Sequence, residues 1–155
     1  MKQIVRFRVN GIDKELLIEP WWTLADVLHD ELGLAVRTGC DRGNCGSCTV
    51  LVNGKMVKSC LILAPKAEGQ EITTIEGLAG NNGELHPLQQ AFVDYFAIQC
   101  GYCTPGMILA AKALLDENPD PTEEEVREAI RGNICRCTGY KKIVEAILAV
   151  KGKQK

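Results

Sequence analysis

Residues 39–48 read Gly-Cys-Asp-Arg-Gly-Asn-Cys-Gly-Ser-Cys, and the organisation of the whole chain follows from them. They set three thiols at the spacing C-x4-C-x2-C, and a fourth thiol, Cys60, follows twelve residues after Cys48. The glycines between them permit positive φ angles and bring backbone N–H groups close to whatever the thiols bind. A surface turn with incidental thiols would not concentrate cysteine in this way. The stretch therefore predicts a loop that holds a metal centre.

The thiol spacing of this loop is typical of a plant-type 2Fe–2S site, in which four thiolates hold two bridged irons. The fourth ligand is distant in sequence, but an Asn-Gly pair at 53–54 predicts a two-residue hairpin turn. Such a hairpin places residue 48 opposite residue 59 and carries Cys60 back beside Cys48. The predicted ligands of this first site are Cys40, Cys45, Cys48 and Cys60.

Four more thiols lie in the second half of the chain, as Cys100-x2-Cys103 and Cys135-x-Cys137. Cys103 precedes the predicted start of a helix at Thr104-Pro105, and Cys137 lies just before another helical stretch. If the two helix N-termini converge, their free N–H groups and positive dipole ends stabilise a thiolate-rich anionic centre. A second 2Fe–2S cluster or a structural zinc fits this set, whereas a C-x-x-C redox pair leaves Cys135 and Cys137 unexplained.

The composition indicates a globular protein rather than a nucleic-acid-binding or membrane-embedded one. The 155 residues are 46% hydrophobic and 25% charged, and the formal net charge is −2. This balance leaves no basic surface for nucleic acid, and no stretch approaches the ~18 apolar residues of a membrane span. Since the start also lacks an apolar leader, we expect a cytoplasmic protein whose eight cysteines bind metal rather than form disulfides.

Residue patterns divide the chain into two parts. Residues 3–9 alternate as a half-buried strand does, and Asn10-Gly11 predicts a turn into a return strand at Glu15–Glu19. With the hairpin at 53–54 they predict a small mixed sheet that holds one helix, which Thr23 caps and whose hydrophobic face carries Leu24, Val27, Leu28 and Leu32. A Gly- and Asn-rich linker follows over 76–85. From there onward the chain shows helical spacing, which predicts a small helical bundle. The first of its four helices is predicted over about 86–97, and the second begins with Thr104 as N-cap and Pro105 as the first helical residue. The third begins at the capping box Thr122-x-x-Glu125 and the fourth near residue 139.

Three motifs together resemble those of a known family. They are Gly-Cys-Asp-Arg-Gly-Asn-Cys-Gly-Ser-Cys-Thr-Val at 39–50, Gln-Cys-Gly-Tyr-Cys-Thr-Pro-Gly-Met at 99–107 and Gly-Asn-Ile-Cys-Arg-Cys-Thr-Gly-Tyr at 132–140. In this order, with Cys60, they resemble the small iron–sulfur subunit of molybdenum hydroxylases. That family includes xanthine dehydrogenase, aldehyde oxidoreductase, aerobic-type carbon monoxide dehydrogenase and 4-hydroxybenzoyl-CoA reductase. The resemblance covers essentially the whole chain.

The resemblance implies an α+β fold made of two domains. Residues 1–76 would form a plant-ferredoxin-like β-grasp domain with one 2Fe–2S cluster. Residues 77–155 would form an all-α four-helix-bundle domain that binds a second 2Fe–2S cluster. The 76–85 linker falls at the junction that the family arrangement requires.

The resemblance also implies an electron-transfer role. Family members pass electrons from a molybdopterin centre in a large subunit to the helical-domain cluster, and from there to the β-grasp cluster. The electrons then go to FAD in a medium subunit or to an external acceptor during substrate hydroxylation or oxidation, or the reverse. This chain would thus be a subunit of an oxidoreductase complex, with no substrate-converting site of its own.

Residue by residue, the resemblance assigns the first thiol set to the outer cluster and the second to the cluster nearest molybdenum. Gln99 matches the family glutamine that hydrogen-bonds the pterin, and Cys137 likewise lies on the pterin side. The ligands of the inner cluster would be Cys100, Cys103, Cys135 and Cys137. Two other functions remain compatible with the residues, namely a free-standing ferredoxin and a zinc-stapled binding module.

The chain departs from the family pattern in the stretch Ala35-Val36-Arg37-Thr38, which is one residue shorter than is usual before the first Gly-Cys. We expect this to affect the approach to the outer cluster and its contact with a flavin subunit, but not the ligands. Trp21 and Trp22 are adjacent, so both indoles cannot point to one strand face, and one is expected to meet a partner chain. His86 is expected to begin a helix rather than bind metal.

Overall fold

The chain folds as a mixed sheet followed by a group of helices, in a computed structural model that describes residues 1–153. Five strands form one sheet in the order β2-β1-β5-β3-β4. Within the described residues no helix combines the length and the apolar character needed to cross a bilayer. The strands are β1 (Gln3–Val9), β2 (Ile12–Ile18), β3 (Thr49–Val52), β4 (Lys55–Lys58) and β5 (Glu71–Thr73). The helices are α1 (Leu24–Asp26), α2 (Pro87–Asp94), α3 (Thr104–Glu117), α4 (Glu123–Ala129) and α5 (Lys141–Ala149).

Two Asn-Gly turns build the outer parts of the sheet. The β3–β4 hairpin turns at Asn53-Gly54, whose φ angles of 50° and 79° are those of the predicted two-residue turn. Val52 pairs with Lys55 in antiparallel register, as the turn requires. The β1–β2 hairpin is also confirmed, although β2 begins at Ile12 rather than at the predicted Glu15. β5 joins the two hairpins by pairing parallel to β1 and antiparallel to β3.

The helix between the hairpins has the predicted cap but an irregular body. Thr23 accepts the backbone N–H of Asp26, and the Asp26 carboxylate accepts that of Thr23, which completes a capping box. Regular α-helix covers only Leu24–Asp26, and Val27–Glu31 continues as a wider π turn. The turn still presents Val27 and Leu28 to the sheet, so the hydrophobic face predicted from spacing is kept.

The helical half follows the predicted order with shifted ends. His86 caps α2, because its ring nitrogen accepts the Leu88 N–H, so the expected helix-start role of His86 is confirmed. α2 ends before the predicted residue 97, since Phe96 has a φ of 54° that a helix cannot accommodate. α3 is capped by Cys103 rather than by Thr104, which is its first helical residue. The capping box of Thr122 and Glu125 at the start of α4 is confirmed.

Each half has its own hydrophobic core, and α3 also packs against β3 and β4. The core of the sheet half lies between the strands and α1, and its fully buried members include Val5, Ile18, Leu24, Leu28 and Ile72. The core of the helical half lies between the four helices, and its fully buried members include Leu88, Phe92, Met107, Leu115, Ile143 and Ile147. The predicted α+β class is confirmed.

Phe92 should contribute strongly to the stability of the helical half. Its side chain is 0% exposed, whereas that of the next residue in α2, Val93, is 51% exposed. We expect Phe92→Ala to lower the free energy of unfolding by about 3 to 5 kcal/mol, because it removes buried apolar surface and leaves a cavity. Val93→Ala should change it by no more than about 0.5 kcal/mol. Urea denaturation followed by far-ultraviolet circular dichroism measures both, and equal losses would contradict the assignment of Phe92 to the core.

Candidate metal centres

The loop after α1 wraps backbone N–H groups around the thiol of Cys40. The Cys40 Sγ accepts N–H groups from Arg42 at 3.4 Å, from Asn44 at 3.2 Å and from Cys45 at 3.3 Å. These hydrogen bonds, that of Cys45 foremost, lower the pKa of Cys40 to about 7. The loop therefore favours a thiolate at this position, which is the form that binds iron.

The β3–β4 hairpin delivers the fourth thiol of the first set. The Ser59 N–H donates to the Cys48 carbonyl at 3.2 Å, and the Ser59 hydroxyl donates to the same oxygen at 2.6 Å. Residue 59 thus lies opposite residue 48 as predicted, and the thiol of Cys60 lies near that of Cys48. Burial raises the pKa of the Cys60 thiol to about 11, with a further contribution from Cys48. Metal binding must displace this proton.

The second set joins two segments that are distant in sequence. The thiol of Cys103 lies near that of Cys135 in the core of the helical half, and the thiol of Cys100 lies near that of Cys137. Burial raises the pKa of Cys103 to about 12. Burial also acts to raise the pKa of Cys135, but hydrogen bonds from Thr138 and other donors outweigh it and lower the pKa overall.

Backbone donors lie beside the thiols of the second set near the starts of α3 and α5. Cys103 caps α3, and the segment with Cys135 is fixed before α5 by the Tyr140 hydroxyl, which bonds the Cys135 N–H at 2.9 Å. The Thr138 N–H donates to the Cys135 Sγ at 3.4 Å. Backbone donors and a helix N-terminus therefore face these thiols, which favours negative charge there.

The donor sets fit two-iron centres. Each set consists of four thiols arranged as two pairs of neighbours. A 2Fe–2S cluster requires two thiolates on each of two irons, so paired thiols match its chemistry. Among residues 1–153 no three Cys, His, Asp or Glu side chains converge on a point that a single metal ion could occupy.

The loops that carry the two thiol sets also contact each other, and the sequence did not predict this pairing. Arg37 donates to the Gly101 carbonyl at 3.1 Å, and its guanidinium lies 5.4 Å from the centroid of the Tyr102 ring. The Tyr102 hydroxyl donates to the Thr38 carbonyl at 2.8 Å. The shortened stretch before Cys40 thus contacts the loop between the second set's first two thiols. No sequence rule pairs these positions, because 64 residues separate them.

The edges of both sites carry exposed side chains. Gln99 and Cys137 are exposed on the rim of the second site, where Phe96 is also 81% exposed. Trp21 is 63% exposed while Trp22 packs against the core of the sheet half, so one of the two indoles does point outward as expected. Contact of Trp21 with a partner chain stays a prediction.

Two families of known proteins match the chain in tandem. The family described as "2Fe-2S iron-sulfur cluster binding domain" matches residues 7–79. The family described as "2Fe-2S binding domain" matches residues 74–148. Each match contains one of the two thiol sets.

Similar proteins extend over nearly the whole chain. The nicotinate dehydrogenase small FeS subunit of Eubacterium barkeri is 50% identical over 94% of this chain and 93% of its own length. The nicotine 6-hydroxylase small subunit of Paenarthrobacter nicotinovorans is 48% identical over 93% of this chain and 87% of its own. A chain of quinoline 2-oxidoreductase from Pseudomonas putida 86 superposes with a TM-score of 0.92 at 44% identity, covering 95% of this chain and 91% of that one.

One solved structure carries the same fold within a longer chain. The aldehyde oxidoreductase of Desulfovibrio desulfuricans matches with a TM-score of 0.91 at 46% identity, over 96% of this chain but 17% of its own. The resemblance drawn from the three cysteine motifs is therefore confirmed. This chain belongs to the family of small iron–sulfur subunits of molybdenum hydroxylases.

Proposed function

We propose that this chain is an electron-transfer subunit with two 2Fe–2S clusters in a molybdenum-hydroxylase-type oxidoreductase. The observation that carries the proposal is the gathering of eight thiols into two sets of four, the first by the β3–β4 hairpin and the second in the core that Cys103 and Cys135 share. Each cluster, when bound, takes up and releases one electron at a time. The proposed outer ligands are Cys40, Cys45, Cys48 and Cys60, and the proposed inner ligands are Cys100, Cys103, Cys135 and Cys137.

The chain's own residues supply ligands, hydrogen bonds and spacing. Backbone N–H groups directed at the Cys40 and Cys135 sulfurs offset negative charge there, and such bonds tune the reduction potential of an iron–sulfur centre. We assign no catalytic residue to the chain, since substrate conversion belongs to the proposed large subunit. We also propose a cytoplasmic location, in which free thiols stay reduced until they bind iron.

We propose the domain division 1–76 and 77–155, with a plant-ferredoxin-like β-grasp domain followed by a four-helix-bundle domain. The separate hydrophobic cores support this division. So do the two family matches, which overlap only at residues 74–79. The proposed boundary lies inside that overlap.

The proposed partners are a molybdopterin-binding large subunit and an FAD-binding medium subunit or another electron acceptor. Relatives named as small subunits support a large partner. Gln99 and Cys137 are proposed to face the pterin, because both are exposed beside the inner thiol set. The acceptor is proposed to approach the outer set, where Cys40 lies near the surface.

Metal analysis tests the cluster assignment. We expect the purified protein to be red-brown and to hold about four irons and about four sulfides per chain. Cys45→Ser and Cys103→Ser should each reduce the iron and the sulfide content to about two per chain, because each removes a ligand from one set and leaves the other set complete. Iron and acid-labile sulfide assays measure this. A colourless, folded protein that contains zinc would overturn the proposal in favour of a binding module.

Gln99→Ala tests the proposed pterin contact. We expect substrate-dependent reduction of the clusters in the complete complex to slow about tenfold or more, as loss of a hydrogen bond at a cofactor contact does. Reduction by dithionite and the iron content should stay unchanged. Stopped-flow absorbance of the iron–sulfur bands follows both reactions.

Gln90→Ala is the matched control for that experiment. Gln90 is an exposed α2 residue whose side chain bonds only Asp94 among the described residues. Its replacement should leave substrate-dependent reduction at the rate of the unchanged complex. If Gln99→Ala behaves as Gln90→Ala does, Gln99 has no role at the pterin.

Purification of the chain without any large subunit would favour a free-standing ferredoxin.

A further inference from the structure

The two cysteine loops pack against each other through bare backbone. A side-chain carbon added at Gly46, which lies between Cys45 and Cys48, would stand 2.2 Å from the Gly132 carbonyl oxygen. One added at Gly106, in the first turn of α3, would stand 2.5 Å from the Gly46 carbonyl oxygen. Such distances exclude any side chain at either position. Both segments of the inner site therefore touch the loop of the outer site directly.

Asn133 is the side chain that bonds across this contact. It is 2% exposed, and its Nδ2 donates to the Gly46 carbonyl at 3.0 Å and to the Thr49 hydroxyl at 3.2 Å. The Thr49 hydroxyl in turn donates to the Gly46 carbonyl at 2.7 Å. The amide of Asn133, two residues before the ligand Cys135, is thus bonded to the loop that carries Cys45 and Cys48.

A backbone hydrogen bond beside Asn133 links the two ligand sets. The Ile134 N–H donates to the Cys45 carbonyl at 2.8 Å. Cys45 belongs to the outer set, and Ile134 directly precedes Cys135 of the inner set. One hydrogen bond thus joins the backbone of an outer ligand to the residue next to an inner ligand.

The side-chain oxygen of Asn133 has a feature that packing alone does not explain. Its Oδ1 is buried and has no hydrogen-bond partner within residues 1–153. Buried polar atoms without partners are unfavourable, and an apolar side chain of similar volume would avoid the penalty. The donors of the amide, rather than its volume, therefore account for asparagine at this position.

We propose that Asn133 is a positioning residue that fixes the spacing between the two clusters and holds the Ile134–Cys45 hydrogen bond closed. This inference rests on the proposed function, since it takes each thiol set to bind a 2Fe–2S cluster. Exchange of electrons between two centres falls steeply with their separation. A side chain that bonds one loop to the other consequently controls that exchange without touching either cluster.

Asn133→Leu tests the proposal in the full chain with both clusters bound. It keeps the branched shape of the side chain, although leucine is somewhat larger, and it removes both N–H donors. Unchanged protein reduced by dithionite should give two electron paramagnetic resonance signals that split each other at low temperature, and the variant should lose that splitting. Hydrogen exchange at the Ile134 amide should become about tenfold faster, because the loop contact opens more often.

Val126→Ala is the matched control. Val126 is fully buried in α4, the helix before Asn133, so its truncation weakens the helical half without removing any hydrogen bond between the two cysteine loops. The control should keep both the splitting and slow exchange at Ile134. Asn133→Ser keeps one donor, so its exchange rate at Ile134 should lie between those of the unchanged protein and Asn133→Leu. This variant replaces Asn133→Leu in the test if the leucine variant fails to retain iron.

The outcomes separate this inference from the proposed function. The positioning role alone is overturned if the unchanged protein holds about four irons per chain and both Asn133 variants show its signal splitting and its exchange rate at Ile134. Loss of splitting and faster exchange in the Asn133 variants, but not in Val126→Ala, supports it. Unchanged protein that lacks iron overturns the proposed function and this inference together.

Discussion

Thiolates that bind one anionic centre repel one another, and the local structure around each cysteine set acts against that repulsion. Backbone N–H groups converge on the Cys40 sulfur, and the Thr138 N–H reaches the Cys135 sulfur. Such donors favour the charged form of a thiol. They also require tight loops, which explains why residues 33–48 form no helix or strand, although their backbone makes several hydrogen bonds to the Cys40 sulfur.

The remaining thiols lie where burial opposes their ionisation. Burial raises the pKa of Cys60 to about 11 and that of Cys103 to about 12, so these two stay protonated without metal at neutral pH. Each set therefore combines a thiol that ionises readily with one that does not. Binding of iron has to displace the proton of the buried thiol, so metal binding and the final packing of each half are linked.

Local patterns in the sequence predicted the hairpins and most helix caps, because each depends on residues close together in the chain. The Asn53-Gly54 turn brought Cys60 beside Cys48 by strand register alone. The parallel pairing of β5 with β1, the π turn after α1 and the Arg37–Tyr102 contact were not predictable in this way. They depend on which distant segments meet, and neither periodicity nor capping rules carry that information.

The contact between the loops changes how the two halves should be regarded. Their hydrophobic cores are separate, and the linker between them is rich in Gly and Asn, which would suit two independent modules. Yet the loops bond directly, at Ile134 and Asn133 on one side and at Arg37 and Tyr102 on the other. Two contacts on different segments restrain rotation as well as separation. The loops that hold the thiols are therefore also the joint between the halves, so the geometry of each site depends on the other.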